Sequence, residues 1–354
     1  MAKVHNFSAG PCILPQEVFQ EAAAAVINFD NLNLSILEIS HRSASFVSVM
    51  DEARQLVKDL LGVPEGYSVL FLQGGASTGF LMAPYNLLTQ NGKAAYVNTG
   101  TWAKKAVKEA KRLGNVDVVG SSEDKNYNYI PKGFEVPADA DYLHITSNNT
   151  IVGTQFKEFP TVNTSLVCDM SSDIFSREVN VADFDVIYAG AQKNLGPAGA
   201  TVYIVKDEVF NKSGRDIPEM LNYATHASKD SMFNTPPVYS TYVSMLNMRY
   251  MMKNGGVAGM QKKAEERAGL LYDEIDNNPL FEGTAAKEDR SNMNATFVLT
   301  DESVKDKFDA MWNAAGISGL KGHRSVGGYR ASMYNALPIE SVQVLVDVMK
   351  KLKG

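Results

Sequence analysis

Residues 185–205 read DVIYAGAQKNLGPAGATVYIV: two apolar runs, DVIYAG and ATVYIV, with one lysine and a Gly/Pro-rich turn between them. Short runs rich in Val, Ile and Tyr, bounded by Gly and Pro, have the length and composition of buried strands. Upstream the same signal recurs in SVLFLQ (68–73), AAYVN (94–98), VDVVG (116–120), YLHITS (142–147) and SLVCDM (165–170). At least three of these runs are followed by helical patterns. In TWAKKAVKEAKRLG (101–114), Trp102, Ala103, Ala106, Val107 and Ala110 share one helix face and Gly114 supplies the stop. Strands alternating with helices predict an α/β fold with a mainly parallel sheet and helices on both faces.

After Thr235-Pro236-Pro237 the pattern changes to long helices through YSTYVSMLNMRYMMK (239–253) and VAGMQKKAEERAGLLYDEI (257–275). A mixed tail follows that includes the strand-like ATFVLT (295–300), so a smaller α+β domain is expected in the C-terminal third. A length of 354 residues is enough for two domains, each with its own core. Hydrophobic residues at 45% and charged residues at 21% point to a globular chain and away from disorder. A net charge of -6 argues against nucleic acid, because phosphate-backbone binding needs a broad excess of Lys and Arg. Cys12 and Cys168 stand far apart without metal-ligand spacing, so no metal site is expected. No signal-like or bilayer-length apolar stretch occurs, and a cytoplasmic location without membrane contact is the expectation.

In open α/β sheets ligands bind beyond the carboxyl ends of the strands, and four such places carry suggestive chemistry. Gln73-Gly74-Gly75-Ala76-Ser77-Thr78 follows a strand and opens a helix, where glycines and free N–H groups make a phosphate cradle; a plain strand-to-helix turn fits the residues equally well. Asp169 ends SLVCDM, where a carboxylate can face a cationic ring nitrogen; local capping is the simpler alternative, since Ser171, Ser172 and Asp173 follow. Lys193 lies among small and apolar neighbours, a setting that lowers an amine's pKa and suits Schiff-base chemistry better than a solvated surface lysine. His41-Arg42 and His323-Arg324, with Arg330 close behind, concentrate cations in two Gly/Ser-rich segments of an acidic protein. Ordinary surface ion pairs explain any one of them, but the cluster suggests recognition of carboxylate or phosphate.

Together NFSAGP (6–11), EISHRS (38–43), YAGAQKNLGPAG (188–199), MFNTPP (232–237) and KGHRSVGGYRASMYNA (321–336) resemble the signatures of the phosphoserine aminotransferase family, in that family's order and approximate spacing. This family is part of the class V, fold-type I branch of pyridoxal 5'-phosphate (PLP) enzymes. The resemblance implies a large PLP-binding domain over 16–258 and a small one from 1–15 and 259–354. It implies that Lys193 holds PLP as a Schiff base and carries the transferred proton, that Asp169 pairs with the pyridine nitrogen, and that Trp102 stacks on the ring. Thr150 would bond the ring hydroxyl, while Ala76, Ser77 and Gln192 hold the phosphate. Asn234 and Thr235 would reach the phosphate in a neighbouring subunit, which makes the expected assembly a homodimer with shared sites. Arg330 would clamp the substrate α-carboxylate, with His41, Arg42, His323 and Arg324 around the distal phosphate or carboxylate. Some family members carry Arg where this chain has Ser77, so phosphate recognition here leans harder on the His-Arg pairs.

The implied reaction is reversible amino transfer between L-glutamate and 3-phosphohydroxypyruvate, giving 2-oxoglutarate and O-phospho-L-serine in serine biosynthesis. The family also admits the 4-phosphohydroxy-L-threonine step of pyridoxine biosynthesis. The nearest rival is another class V enzyme. An alanine:glyoxylate type would have no use for so many cations around a distal group, and a cysteine desulfurase needs a mobile thiol that neither cysteine's position suggests. A nicotinamide dehydrogenase would need a Gly fingerprint and a ribose-binding acid that are absent, and Lys193 argues against a non-catalytic binding module.

Overall fold

The apolar runs become strands of one sheet in the computed structural model, which describes residues 4–352. In chain order they are β1 (Tyr67–Leu72), β2 (Lys93–Asn98), β3 (Asn115–Ser121), β4 (Ala140–Thr146), β5 (Ser165–Asp169), β6 (Val186–Gly190) and β7 (Thr201–Lys206). Their order across the seven-stranded sheet is β1-β7-β6-β5-β4-β2-β3. Five of them, from β6 to β3, pair in parallel, and β7 runs antiparallel to both β6 and β1. The reversal is local in origin: the turn that carries Lys193 is too short for the crossover that a parallel return requires.

Alternate residues of each strand enter opposite cores, as the period of two demands. Val69 and Phe71 of β1 pack with α1 (Gln16–Ile27), α2 (Ala44–Leu61) and α5 (Val238–Lys253). Leu70 and Leu72 pack instead with α3 (Gly75–Leu87) and α4 (Thr101–Ala110). Ala103, Ala106, Val107 and Ala110 of α4 are buried as their spacing predicts, whereas Trp102 stays partly exposed. The helix closes at Ala110, earlier than Gly114, whose N–H still bonds back to the Ala110 carbonyl.

Gly79 lets α3 lie directly on β6, because a Cβ there would stand 2.6 Å from the Tyr188 ring. Tyr188 is the register partner of Asp169, so this close approach sets the N-terminus of α3 above the end of β5.

A second core forms around the three-stranded antiparallel sheet β8 (Phe281–Gly283), β9 (Asn294–Leu299) and β10 (Tyr329–Ser332). It is covered by α6 (Gly256–Asn277), α7 (Lys305–Ala314) and α8 (Ile339–Lys351). Phe308 meets Phe281 and Tyr329 edge-on at 5.2 and 4.9 Å between ring centres, an arrangement worth about 1 kcal/mol per pair beyond the buried area. His5–Asn6 pairs in parallel with Ile317–Ser318, and Phe7 is fully buried in this second core. The amino-terminal segment is therefore bound to the far end of the chain.

Candidate active site

The carboxyl ends of β4, β5 and β6 open into a cavity of about 350 Å³, a volume in the range of small-ligand sites. Lys193 stands at its centre, on the turn between β6 and β7. Three contacts from distant parts of the chain fix that turn. The Cys12 thiol donates to the Lys193 carbonyl at 2.6 Å, and the Asn247 amide donates to the Asn194 and Leu195 carbonyls at 2.9 Å. The Asn194 side chain in turn accepts from the Asn335 N–H at 3.0 Å. With its backbone held this way, the lysine presents its Nζ to the Thr150 hydroxyl at 2.7 Å.

Burial lowers the Lys193 pKa to about 8, against the opposing attraction of Asp169, and Arg330 lowers it further. An amine in that condition is partly neutral at physiological pH and can act both as a nucleophile and as a proton carrier. Asp169 is only 4% exposed, and its carboxylate accepts from the Ser171 N–H at 2.9 Å. The residue caps its own turn and also lines the cavity. Burial pushes its pKa up, which is the condition of a carboxylate that needs a cationic partner.

Gly75, Ala76 and Ser77 bring the N-terminus of α3 to the cavity, with Gly74 and Gly75 at φ +99 and +66, a region that favours glycine. A helix start of this kind offers unpaired N–H groups and a positive dipole end to an anion. Gln192 lines the wall beside it, and Trp102 borders the cavity with its ring centre 6.0 Å from Lys193 Nζ. On the far side Arg330 donates to the Thr150 carbonyl at 3.1 Å, while its Nε is buried without a partner among the described residues. Thr150 thus links the lysine and the arginine. His323 completes this side, its Nδ1 2.7 Å from Ser325 Oγ.

Of the residues singled out from sequence, Ala76, Ser77, Trp102, Thr150, Asp169, Gln192, Lys193, His323 and Arg330 share this cavity. The others do not line it. Arg42 is exposed on the loop before α2, and neighbouring His41 has a buried Nε2 without a partner among the described residues. Arg324 is exposed, as is Thr235, whose carbonyl accepts from Gln73 Nε2 at 2.7 Å. Asn234 keeps a buried Oδ1 without a partner among the described residues.

Sequence reading missed Gly10, Thr146, Asn148, Ser171 and Ser172, which also line the cavity. Thr146 and Ser171 flank strand ends, the right place, but small polar side chains carry no chemistry that marks them. Gly10 closes over Lys193 with φ +131, and a Cβ there would sit 3.3 Å from the lysine Cγ.

These residues fit PLP. A buried carboxylate short of a cation suits a pyridine nitrogen, the α3 cradle suits a phosphate, and the amine suits an aldehyde.

The Aminotransferase class-V profile matches residues 4–345. A phosphoserine aminotransferase of Flavobacterium johnsoniae is 64% identical over 99% of both chains. The solved phosphoserine aminotransferase of Bacillus circulans subsp. alkalophilus superposes with a TM-score of 0.95 at 45% identity, over 98% of each chain. The PLP-bound phosphoserine aminotransferase of Trichomonas vaginalis does so with a TM-score of 0.92 at 35% identity, over 99% of this chain and 100% of that one. The α/β, fold-type I architecture expected from sequence holds, and the chain belongs to the class V aminotransferases, in the phosphoserine aminotransferase family.

Proposed function

We infer that this chain is a PLP-dependent phosphoserine aminotransferase, moving the amino group of L-glutamate to 3-phosphohydroxypyruvate and back for serine biosynthesis. The observation that carries this reading is the half-buried lysine, its pKa lowered to about 8, in one cavity with a buried carboxylate and an arginine. PLP supplies an aldehyde for the amino group and an electron-withdrawing ring. The chain's own residues supply the rest. Asp169 would hold positive charge at the ring nitrogen, the Ala76 and Ser77 N–H groups with Gln192 would hold the phosphate, and Trp102 would cover the ring. Lys193 takes the proton from the substrate Cα and returns it, with Thr150 orienting the amine. Arg330 holds the α-carboxylate.

We further propose a homodimer in which His41, Arg42, Asn234 and Thr235 serve the partner's site. The buried His41 Nε2 and Asn234 Oδ1, each without a partner among the described residues, support that arrangement. So does the apolar surface that leads into the His41-Arg42 loop, where Leu32, Leu34 and Leu37 are 43%, 47% and 61% exposed. Arg324 joins His323 around the distal phosphate. The division into 16–258 and 1–15 with 259–354 is proposed on the two cores, since Phe7 joins the second. The 4-phosphohydroxy-L-threonine step uses the same phosphate-bearing side chain and is proposed as a second substrate. Cytoplasm is the proposed location; no helix among the described residues is long and apolar enough to cross a membrane.

The test compares O-phospho-L-serine with L-alanine as amino donor, using 2-oxoglutarate or glyoxylate as acceptor. A kcat/KM for phosphoserine and 2-oxoglutarate at least a hundredfold above that for alanine and glyoxylate is expected. The reverse preference refutes the assignment.

A further inference from the structure

Lys104 and Lys105 are neighbours on α4 with different surroundings. Lys104 pairs with Glu123 at 2.8 Å and is thereby accounted for. Lys105 has no ion pair among the described residues. Its Nζ lies instead 4.4 Å from the centre of the Trp102 ring, the same ring that borders the cavity and stands 6.0 Å from Lys193 Nζ. An ammonium over an aromatic face is a weak tether at an exposed site, strong enough to bias a flexible side chain toward one place. That place is the indole at the cavity's edge, within electrostatic reach of His323.

The groups near that edge are basic. His323 and Arg330 line the cavity, and Arg324 follows His323 in the chain. After burial, the influences that lower the His323 pKa are Arg330, Arg324 and Lys105. In a protein of net charge -6, four basic groups gathered near one opening, with Asp169 the one carboxylate that lines the cavity among the described residues, favour an anion that joins them. Two of the four, His323 and Arg324, already have a place in the proposed distal site, and Arg330 is assigned to the α-carboxylate beside it. The fourth approaches it from the opposite element, α4, where Trp102 directs it.

We propose that Lys105 is a specificity-determining residue, whose ammonium, steadied over Trp102 at the cavity's edge, helps bind the distal phosphate of the amino donor or acceptor. This rests on the reading that the distal phosphate enters beside His323. A lysine is suited to the task because it is a compact point charge on a flexible stem. It can follow a dianion into the site and return to the indole when the site empties. For a distal carboxylate, with half the charge, its contribution is smaller.

The experiment uses the PLP-loaded enzyme and three amino donors, O-phospho-L-serine, L-glutamate and L-serine, with inorganic phosphate as a competing probe. Lys105→Met removes the charge and keeps the stem. Its kcat/KM for phosphoserine should fall roughly five- to tenfold, mostly through KM, and the inhibition constant of phosphate should rise by a similar factor. Glutamate should lose about two- to threefold and serine nothing, and Lys105→Arg should restore phosphoserine to within about twofold. The visible absorption of the bound cofactor should be unchanged, which shows that Trp102 has kept its place. An unchanged phosphoserine KM in Lys105→Met overturns the proposal. So does an equal loss for all three donors, which would make Lys105 a support for the indole. His323→Ala and Arg324→Ala separate this failure from a deeper one. If they weaken phosphoserine relative to serine and Lys105→Met does not, only the role of Lys105 falls; if none of the three does, the distal site is misplaced.

Discussion

Asp169→Asn removes one charge from the floor of the cavity and very little else. Asparagine has the same shape, and its carbonyl oxygen can keep accepting from the Ser171 N–H at 2.9 Å, so the turn after β5 should survive. At 4% exposure almost no water reaches the carboxylate. Two unit charges at contact distance in such a setting attract by about 4 kcal/mol at an effective dielectric of 20. Part of that returns through the amide dipole, which leaves on the order of 3 kcal/mol of charge stabilisation lost from the proton-transfer step, or roughly a hundredfold in rate. The assay is single-turnover conversion of enzyme-bound PLP by phosphoserine, followed by absorbance, with KM recorded to separate binding from chemistry. Two further readings guard against a trivial explanation. The apo protein should be no less stable and should melt at a somewhat higher temperature, because burial disfavours the ionised carboxyl and the amide carries no charge. The Lys193 pKa should fall below its value of about 8, since Asp169 is the chief influence holding it up. A single-turnover rate within twofold of the unmodified enzyme would refute the argument that this carboxylate sustains positive charge on the ring.

Three other outcomes are expected. In the cofactor-free protein, capture of added PLP at Lys193 should accelerate with rising pH and level off above about pH 8, where the amine is neutral; a rise continuing toward 10.5 would show an ordinary solvated lysine. The same depression makes the apo fold gain stability between about pH 8 and 10.5, where only the unfolded chain still binds that proton, and urea midpoints at the two pH values measure it. Mixing Lys193→Ala with Arg42→Ala subunits should restore up to about a quarter of wild-type activity, because half the dimers formed at random are mixed and each contains one intact shared site. No recovery after subunit exchange would place Arg42 and Lys193 in the same chain's site.

The sheet was legible because its strands are buried on both faces and read as continuous apolar runs, SLVCDM and DVIYAG being the plainest. What the runs did not disclose was direction. Nothing within ATVYIV marks it as antiparallel; the shortness of the preceding turn does. Lys193 and Asp169 were legible because each is a charged residue where small or apolar neighbours make charge costly. Asn194, Asn247 and Asn335 were not, although they hold the lysine turn, because an asparagine's partner is fixed only when remote segments meet. Trp102 was placed on the apolar stripe of α4 by spacing alone, and the structure turns it toward the cavity. Lys105 escaped notice for a related reason, since a lysine one position from a paired lysine looks like solvated surface until the ring beneath it is seen.

The bonds that close the amino-terminal segment over Lys193 have a consequence for biosynthesis. His5 and Asn6 pair with Ile317 and Ser318, the Tyr334 hydroxyl donates to the Ala9 carbonyl at 2.8 Å, and Asn335 is held by Asn194. A nascent chain therefore carries His5, Asn6 and Ala9 without these partners until nearly the whole polypeptide has left the ribosome. The sheet can condense earlier from neighbouring segments, but the lysine turn acquires its final clasp only at the end of translation. A chain stalled before residue 317 would have the Cys12 and Asn247 contacts of the lysine turn within reach but would still lack the one from Asn335.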